Sequence, residues 1–239
     1  MQKLTYMYKT TARVVGIVYL AGFVVGLTGN GLIQSILGVP DHLSMVSANS
    51  MALTIGAILW LMAVVGDAAH GVLMFPILKQ HSERMAYGYL AARIVDAVFI
   101  AIMVLFILLQ IPLGTEYLKA AATDTSYFQT LSTISIQASQ YAYQMGMSAL
   151  GISGLILNYT LYKTKLVPRF LAVWGLVGYA IIFFGMLSET MGSGLGLVSS
   201  IPGGLWEVFT GVWLIVKGFN SSAFVSGTVK TELNEPKIS

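Results

Sequence analysis

The sequence predicts an all-α protein, a polytopic transmembrane bundle of six helices with both termini cytoplasmic, on three observations. Apolar residues make up 56% of the 239 and charged residues only 10%, where a soluble domain carries about a quarter charged. Six apolar stretches are long enough to cross hydrocarbon as helices, which takes about 20 residues each. Basic residues gather at alternate ends of those stretches. With a mean hydropathy of +0.77, a soluble fold could not hide its apolar surface, so lipid takes over part of the role of the core. Helices follow because isolated strands leave their backbone groups unsatisfied in lipid.

Taken in order, the spans lie near 12–32, 51–78, 86–111, 138–162, 170–187 and 197–216. The first follows Lys3, Lys9 and Arg13 as a signal peptide would, but the run is long and lacks an A-x-A cleavage site, so a retained span is expected. The fourth has Asp124 or Thr125 as an N-cap and so starts well outside the membrane. Residues 1–219 form a single six-helix domain on this reading, and 220–239 form a polar, unpatterned, disordered tail.

Orientation comes from charge. With the N-terminus inside, the cytoplasmic side holds Lys3, Lys9, Arg13, Lys79, Arg84, Lys163, Lys165, Arg169, Lys217, Lys230 and Lys237, whereas the outer loops hold only Lys119. That asymmetry obeys the positive-inside rule. It also accounts for the net charge of +3 without nucleic acid as a partner. The absence of cysteine excludes disulfides and thiolate chemistry.

Five ionisable residues stand inside the apolar runs: Asp67 and His70 in the second span, Arg93 and Asp96 in the third, and Glu207 in the sixth. A helical rise of 1.5 Å per residue puts them all roughly 10 to 16 Å from the cytoplasmic ends of their spans. Asp67/His70 and Arg93/Asp96 are both i,i+3 pairs, each on one helical face. Charges at such depth are costly and usually face a protein interior or a wet cavity. Three carboxylates then oppose one guanidinium and a histidine of unsettled charge. Three remedies are open: a carboxyl that keeps its proton, a protonated His70, or a bound cation. Against these stands a plain structural reading, in which Asp67 and Arg93 form a salt bridge fixing helix register while Asp96 and Glu207 bond neighbouring hydroxyls.

The fourth span carries Gln137, Gln140 or Tyr141, Gln144, Ser148, Gly151 and Asn158 at helical intervals, and this polar face is expected to line either a cavity or another helix. Gln144, at the level of the charges, joins the candidate ligand residues. The first span has Gly22, Gly26, Asn30 and Gln34 as a stripe suited to close packing. Pro202-Gly203-Gly204 stands at the expected start of the sixth span, as an ordinary helix end or as a break that turns carbonyls toward a cavity. His42 and His81 fall in loops. Trp174, Trp206, Trp213, Tyr159 and Tyr162 suit interfacial belts or helix packing.

The leading functional expectation is a site of Asp67, His70, Arg93, Asp96, Glu207 and Gln144 that binds or transports a small cation, a proton-coupled solute or an amphipathic ligand. A second is a membrane-embedded metal-dependent lipid hydrolase, with Asp67 and His70 as metal ligands and Asp96 or Glu207 as the third. D-x-x-H is a weak metal signal. A third is a non-catalytic assembly partner. Beyond the bilayer itself, Arg13, Lys165 and Arg169 suggest anionic lipid at the cytoplasmic rim.

The segments "TARVVGIVYLAGFVVG", "YKTKLVPRFLAVWGLVGY" and "SIPGGLWEVFTGVWLIVKGF" resemble a prokaryotic membrane family known as domain of unknown function 4386. The resemblance runs from Ala12 to about Phe219. It implies six spans and the cytoplasmic membrane of a bacterium or archaeon. It implies no activity and no catalytic residue.

Overall fold

The computed structural model describes residues 2–120 and 125–220. Asp124, Lys230, Lys237 and the rest of the tail from 221 onward lie outside the described residues. The described chain is helical throughout: α1 (Gln2–Leu37), α2 (His42–Ala48), α3 (Ser50–Lys79), α4 (Glu83–Leu108), α5 (Gln110–Lys119), α6 (Thr125–Thr164), α7 (Arg169–Thr190) and α8 (Gly196–Val216). The connecting segments around Pro40 and after Pro112 are therefore not plain loops. They carry α2 and α5, which pack on each other.

Five stretches are long and apolar enough to cross a membrane: α1, α3, α4 continued by α5, α7 and α8. The protein is on this ground a multi-pass membrane protein. The fourth expected span, within α6, falls outside that set. Its polarity is turned inward: Ser132, Ser135, Ser139, Gln144, Ser153, Asn158 and Thr160 are buried. Many of them bond carbonyls of their own helix, as Ser153 does to Leu150 at 2.8 Å, Asn158 to Gly154 at 2.9 Å and Thr160 to Ile156 at 2.9 Å. Outward it shows Ile134, Tyr141, Met145, Ile152 and Tyr159, spaced by seven, four, seven and seven residues. Gln137, Gln140 and Tyr141 of the expected polar face are exposed. Gln144, Gly151 and Asn158 of that face are buried, so it turns inward in its second half, while in the first half Ser132, Ser135 and Ser139 take the inner positions.

The six long helices form a ring in chain order. Each packs on the next, α1 on α3, α3 on α4, α4 on α6, α6 on α7 and α7 on α8, and α8 closes back on α1. Glycines set the closest approaches, since a helix pair without a Cβ between backbones gains dispersion contact over its whole length. A methyl on Gly16 would lie 2.5 Å from the carbonyl of Gly211, and one on Gly29 2.9 Å from that of Gly56. Gly22 and Gly26 have no neighbour in reach of a Cβ, and Asn30 and Gln34 are exposed. The first span thus packs through Gly16 and Gly29, not through the expected stripe.

Helix α8 begins at Gly196, so Pro202 lies within it and not at its start. Gly203 there meets Gly178 of α7 backbone to backbone. The Pro-Gly-Gly run serves this contact, and Trp174 donates its indole N–H to the Pro202 carbonyl at 3.2 Å. The Glu189 carboxylate accepts the Gly196 amide at 2.9 Å, placing a negative charge where the dipole of α8 favours one. At the other end Gly218 takes a φ of 73°, the left-handed position that commonly ends a helix.

Two apolar clusters occupy the ring. One, toward the basic end, gathers Val15, Met74, Leu78, Tyr89, Leu157, Leu171 and Trp206 among others. The other, toward the far end, gathers Ile33, Leu53, Ala57, Ile100 and Val104. The intramembrane charges lie between them along α3 and α4.

Candidate functional site

Arg93 is the centre of the site. Its side chain is 1% exposed, and its Nη1 donates to Asp67 Oδ1 at 2.8 Å, tying α4 to α3. Asp96, one turn along the same helix and equally buried, holds its Oδ2 3.8 Å from the same nitrogen, an ion-pair distance without a hydrogen bond. The Arg93 Nε–H donates to the Tyr89 hydroxyl at 3.2 Å, and the guanidinium lies over that ring, 5.6 Å from its centre. The i,i+3 and i,i+4 spacings of 89, 93 and 96 produce this arrangement, since such residues stack on one helical face.

Glu207 does not pair with Arg93. Its Oε1 accepts the Tyr179 hydroxyl of α7 at 2.6 Å. Tyr179 packs edge to face on Trp206 with ring centres 5.4 Å apart, and Trp206 on Tyr19 at 5.9 Å. Tyr19 of α1 stands edge-on to the His70 ring at 3.9 Å, with its hydroxyl in electrostatic reach of Arg93 and Glu207. Tyr143 of α6 lies within the same reach of Asp96. Every helix of the ring contributes to this interior: α1 Tyr19, α3 Asp67 and His70, α4 Tyr89, Arg93 and Asp96, α6 Tyr143, α7 Tyr179, and α8 Trp206 and Glu207.

Several buried polar atoms here make no hydrogen bond of good geometry: Arg93 Nη2, Asp96 Oδ2, the His70 ring nitrogens, which have the Val15 backbone in reach, and the Tyr19 hydroxyl, which has Arg93 in reach, with Gln144 Oε1 and Thr210 Oγ1 elsewhere in the interior. Buried groups in folded proteins are nearly always paired, so a concentration of orphans points to a partner such as water, an ion or a solute. A void of about 10 Å³, room for about one water molecule, adjoins Tyr19, Trp206 and Thr210. Phe219 and Val167 wall it and also line a larger cavity at the basic end.

Of the sequence-derived site residues, Asp67, Arg93 and Asp96 are in direct contact, and Glu207 and His70 join them through tyrosines. Gln144 is buried on α6, and no hydrogen bond links its side chain to the charges among the described residues. The metal expectation fares differently. Among the described residues no three of His, Cys, Asp or Glu converge as a ligand set. Asp67 is engaged by Arg93, and the His70 ring packs against that of Tyr19.

The tyrosines are what sequence reasoning missed. Tyr179 lies ten residues in from Arg169, about 15 Å by helical rise, which is the level of Glu207. The same depth count could have found it. His42, expected in a loop, opens α2, and its Nε2 lies 2.7 Å from Ser132 Oγ, which donates to Gln110 Oε1 at 2.5 Å.

These features define a multi-pass membrane protein whose helices enclose a charged and tyrosine-rich interior. The family model described as Domain of unknown function (DUF4386) matches residues 14–218. The chain belongs to that family. No curated protein and no solved structure matches it.

Proposed function

We propose that the protein binds, and moves across the membrane, a proton, a small cation or a proton-coupled solute, through the cluster of Asp67, His70, Arg93, Asp96 and Glu207. One observation carries this reading: three carboxylates share an interior with a single guanidinium, and that guanidinium already makes its short bond to Asp67. The remaining negative charge calls for protons or a cation. In this reading Asp96 and Glu207 are the acceptors, Arg93 the fixed counter-charge, and His70 with Tyr19 the relay. The ring topology supports α6 as a sixth span, since it fills the gap between α4 and α7 and turns its apolar stripe outward. The basic termini and turns support an N-in, C-in orientation in the cytoplasmic membrane of a bacterium or archaeon.

The test is infrared spectroscopy of the protein in proteoliposomes, combined with proton uptake after a pH jump. At neutral pH a carbonyl band from a protonated carboxyl is expected. It disappears in Glu207→Gln or Asp96→Asn, along with most of the proton uptake. If Asp67→Asn, Asp96→Asn and Glu207→Gln all leave the band and the uptake unchanged, the site holds no exchangeable proton and the reading fails. The 2.8 Å Asp67–Arg93 pair also favours a register lock between α3 and α4. That reading expects the same substitutions to lower the melting temperature and do nothing else.

A further inference from the structure

A second cavity opens at the basic end of the bundle, and none of Asp67, His70, Arg93, Asp96 or Glu207 lines it. It measures about 480 Å³ and sits where the α6–α7 turn meets the end of α8, lined by Lys165, Arg169, Lys217, Trp213 and Phe219 among others. Its walls are pinned: the Asn220 amide donates to the Leu166 carbonyl at 2.8 Å and its side chain to the Lys165 carbonyl at 3.3 Å.

The cavity is one-sided in charge. Lys165, Arg169 and Lys217 are exposed, and among the described residues no carboxylate forms an ion pair with any of them. Lys165 and Lys217 close helices α6 and α8, where a cation is favoured by the dipole. Arg169 is different, because it opens α7, whose first turn contains no acidic residue, so its charge adds to the positive helix end. Its guanidinium is held 5.4 Å from the centre of the Tyr162 ring. Lys165 takes a φ of 57°, a conformation usually left to Gly or Asn at a helix end. A lysine kept there at a cost in backbone strain points to use of its side chain. Apart from Asn220 the remaining lining is apolar or glycine, with Trp213 and Phe219 beside the cations, as a headgroup with the start of its acyl chains requires.

We propose that this cavity binds the phosphate of an anionic phospholipid headgroup, with Arg169, Lys165 and Lys217 on the phosphate and Trp213 along the glycerol and upper chains. The proposal goes beyond the charge cluster and stands on membrane embedding alone, so either can fail without the other.

Native mass spectrometry of the full chain from equimolar mixed micelles of phosphatidylglycerol and phosphatidylcholine tests it. The protein is expected to retain phosphatidylglycerol over phosphatidylcholine by about thirtyfold or more, as two to three cations near one headgroup imply. Arg169→Gln/Lys217→Gln should bring the ratio to within about twofold of unity, while Lys9→Gln/Arg84→Gln, two cations outside the cavity at the same end, should keep it. Lys165→Gly guards against misfolding, since it relieves the left-handed strain and should fold at least as well yet lose part of the preference. Equal loss in the two double variants would reduce the effect to diffuse rim charge and overturn the proposal. So would an unchanged preference in Lys165→Gly and Arg169→Gln/Lys217→Gln, or inorganic phosphate in phosphatidylcholine micelles being retained as readily as the anionic lipid.

Discussion

Two polar groups are buried in this bundle, and they are built on opposite terms. At the end away from the basic turns, Gln110 and Ser132 are fully buried and His42 half-buried, and the three close on themselves. Ser132 Oγ donates to Gln110 Oε1, Gln110 Nε2 donates back to the Ser132 carbonyl at 3.3 Å, and His42 Nε2 meets the same hydroxyl. None of their buried side-chain atoms is left over. In the interior, Arg93, Asp96, His70 and Tyr19 are as deeply buried, yet each keeps an atom that makes no hydrogen bond of good geometry. A satisfied network rigidifies a fold, whereas an unsatisfied one is costly unless something else completes it. The first group therefore reads as a clasp joining α2, α5 and α6, whereas the second is the cluster on which the proposed function rests.

The sharpest way to break that contrast is Arg93→Met. It leaves Asp67 and Asp96 without their cation, and breaking a buried ion pair by removing one partner costs about 3–5 kcal/mol. Reversible unfolding in mixed micelles would measure this, and a loss below about 1 kcal/mol would show that the carboxylates never needed Arg93. A smaller effect belongs to the clasp. Gln110→Ala should cost about 1–3 kcal/mol by removing both hydrogen bonds between Gln110 and Ser132, and adding Ser132→Ala should recover part of the loss. Neither change should alter proton uptake. If Gln110→Ala did so, the two polar groups would be coupled and the division between clasp and site would fall.

The smallest effect sharpens the comparison at the bundle edge. His81 sits in the α3–α4 turn, half-buried, with its Nε2 unpartnered. Burial pulls its imidazole below the ordinary range. As pH falls through about 6.5 the unfolded chain takes up this proton before the folded one, so stability declines there and levels off once the folded imidazole is also protonated. Melting curves between neutral and mildly acidic pH should show a shallow decline that His81→Gln removes. An unchanged decline would assign it to other groups.

Gly154 shows why the site was only half legible beforehand. A methyl there would lie 2.1 Å from the Tyr179 ring, so the glycine on α6 makes room for the phenol that holds Glu207. Nothing in the spacing of α6 announces that pairing. By contrast Asp67, Arg93 and Asp96 were found from local geometry alone, because i,i+3 spacing and a shared depth already force them onto facing surfaces of one hairpin.

The amino-acid order by itself determined what depends on one helix at a time: apolar length, the basic ends, the depth of each charge and the face it occupies. Those follow from a fixed rise and a fixed turn per residue. Tertiary structure alone decided the closure of α8 on α1, the burial of a serine-rich face of α6 that leaves Gln137 and Gln140 exposed, and the capture of Glu207 by Tyr179. Each of these depends on how far one helix is rotated and shifted against another. That is set by the meeting of glycines with bulky side chains across the interface, a relation between distant parts of the chain that no single helix encodes.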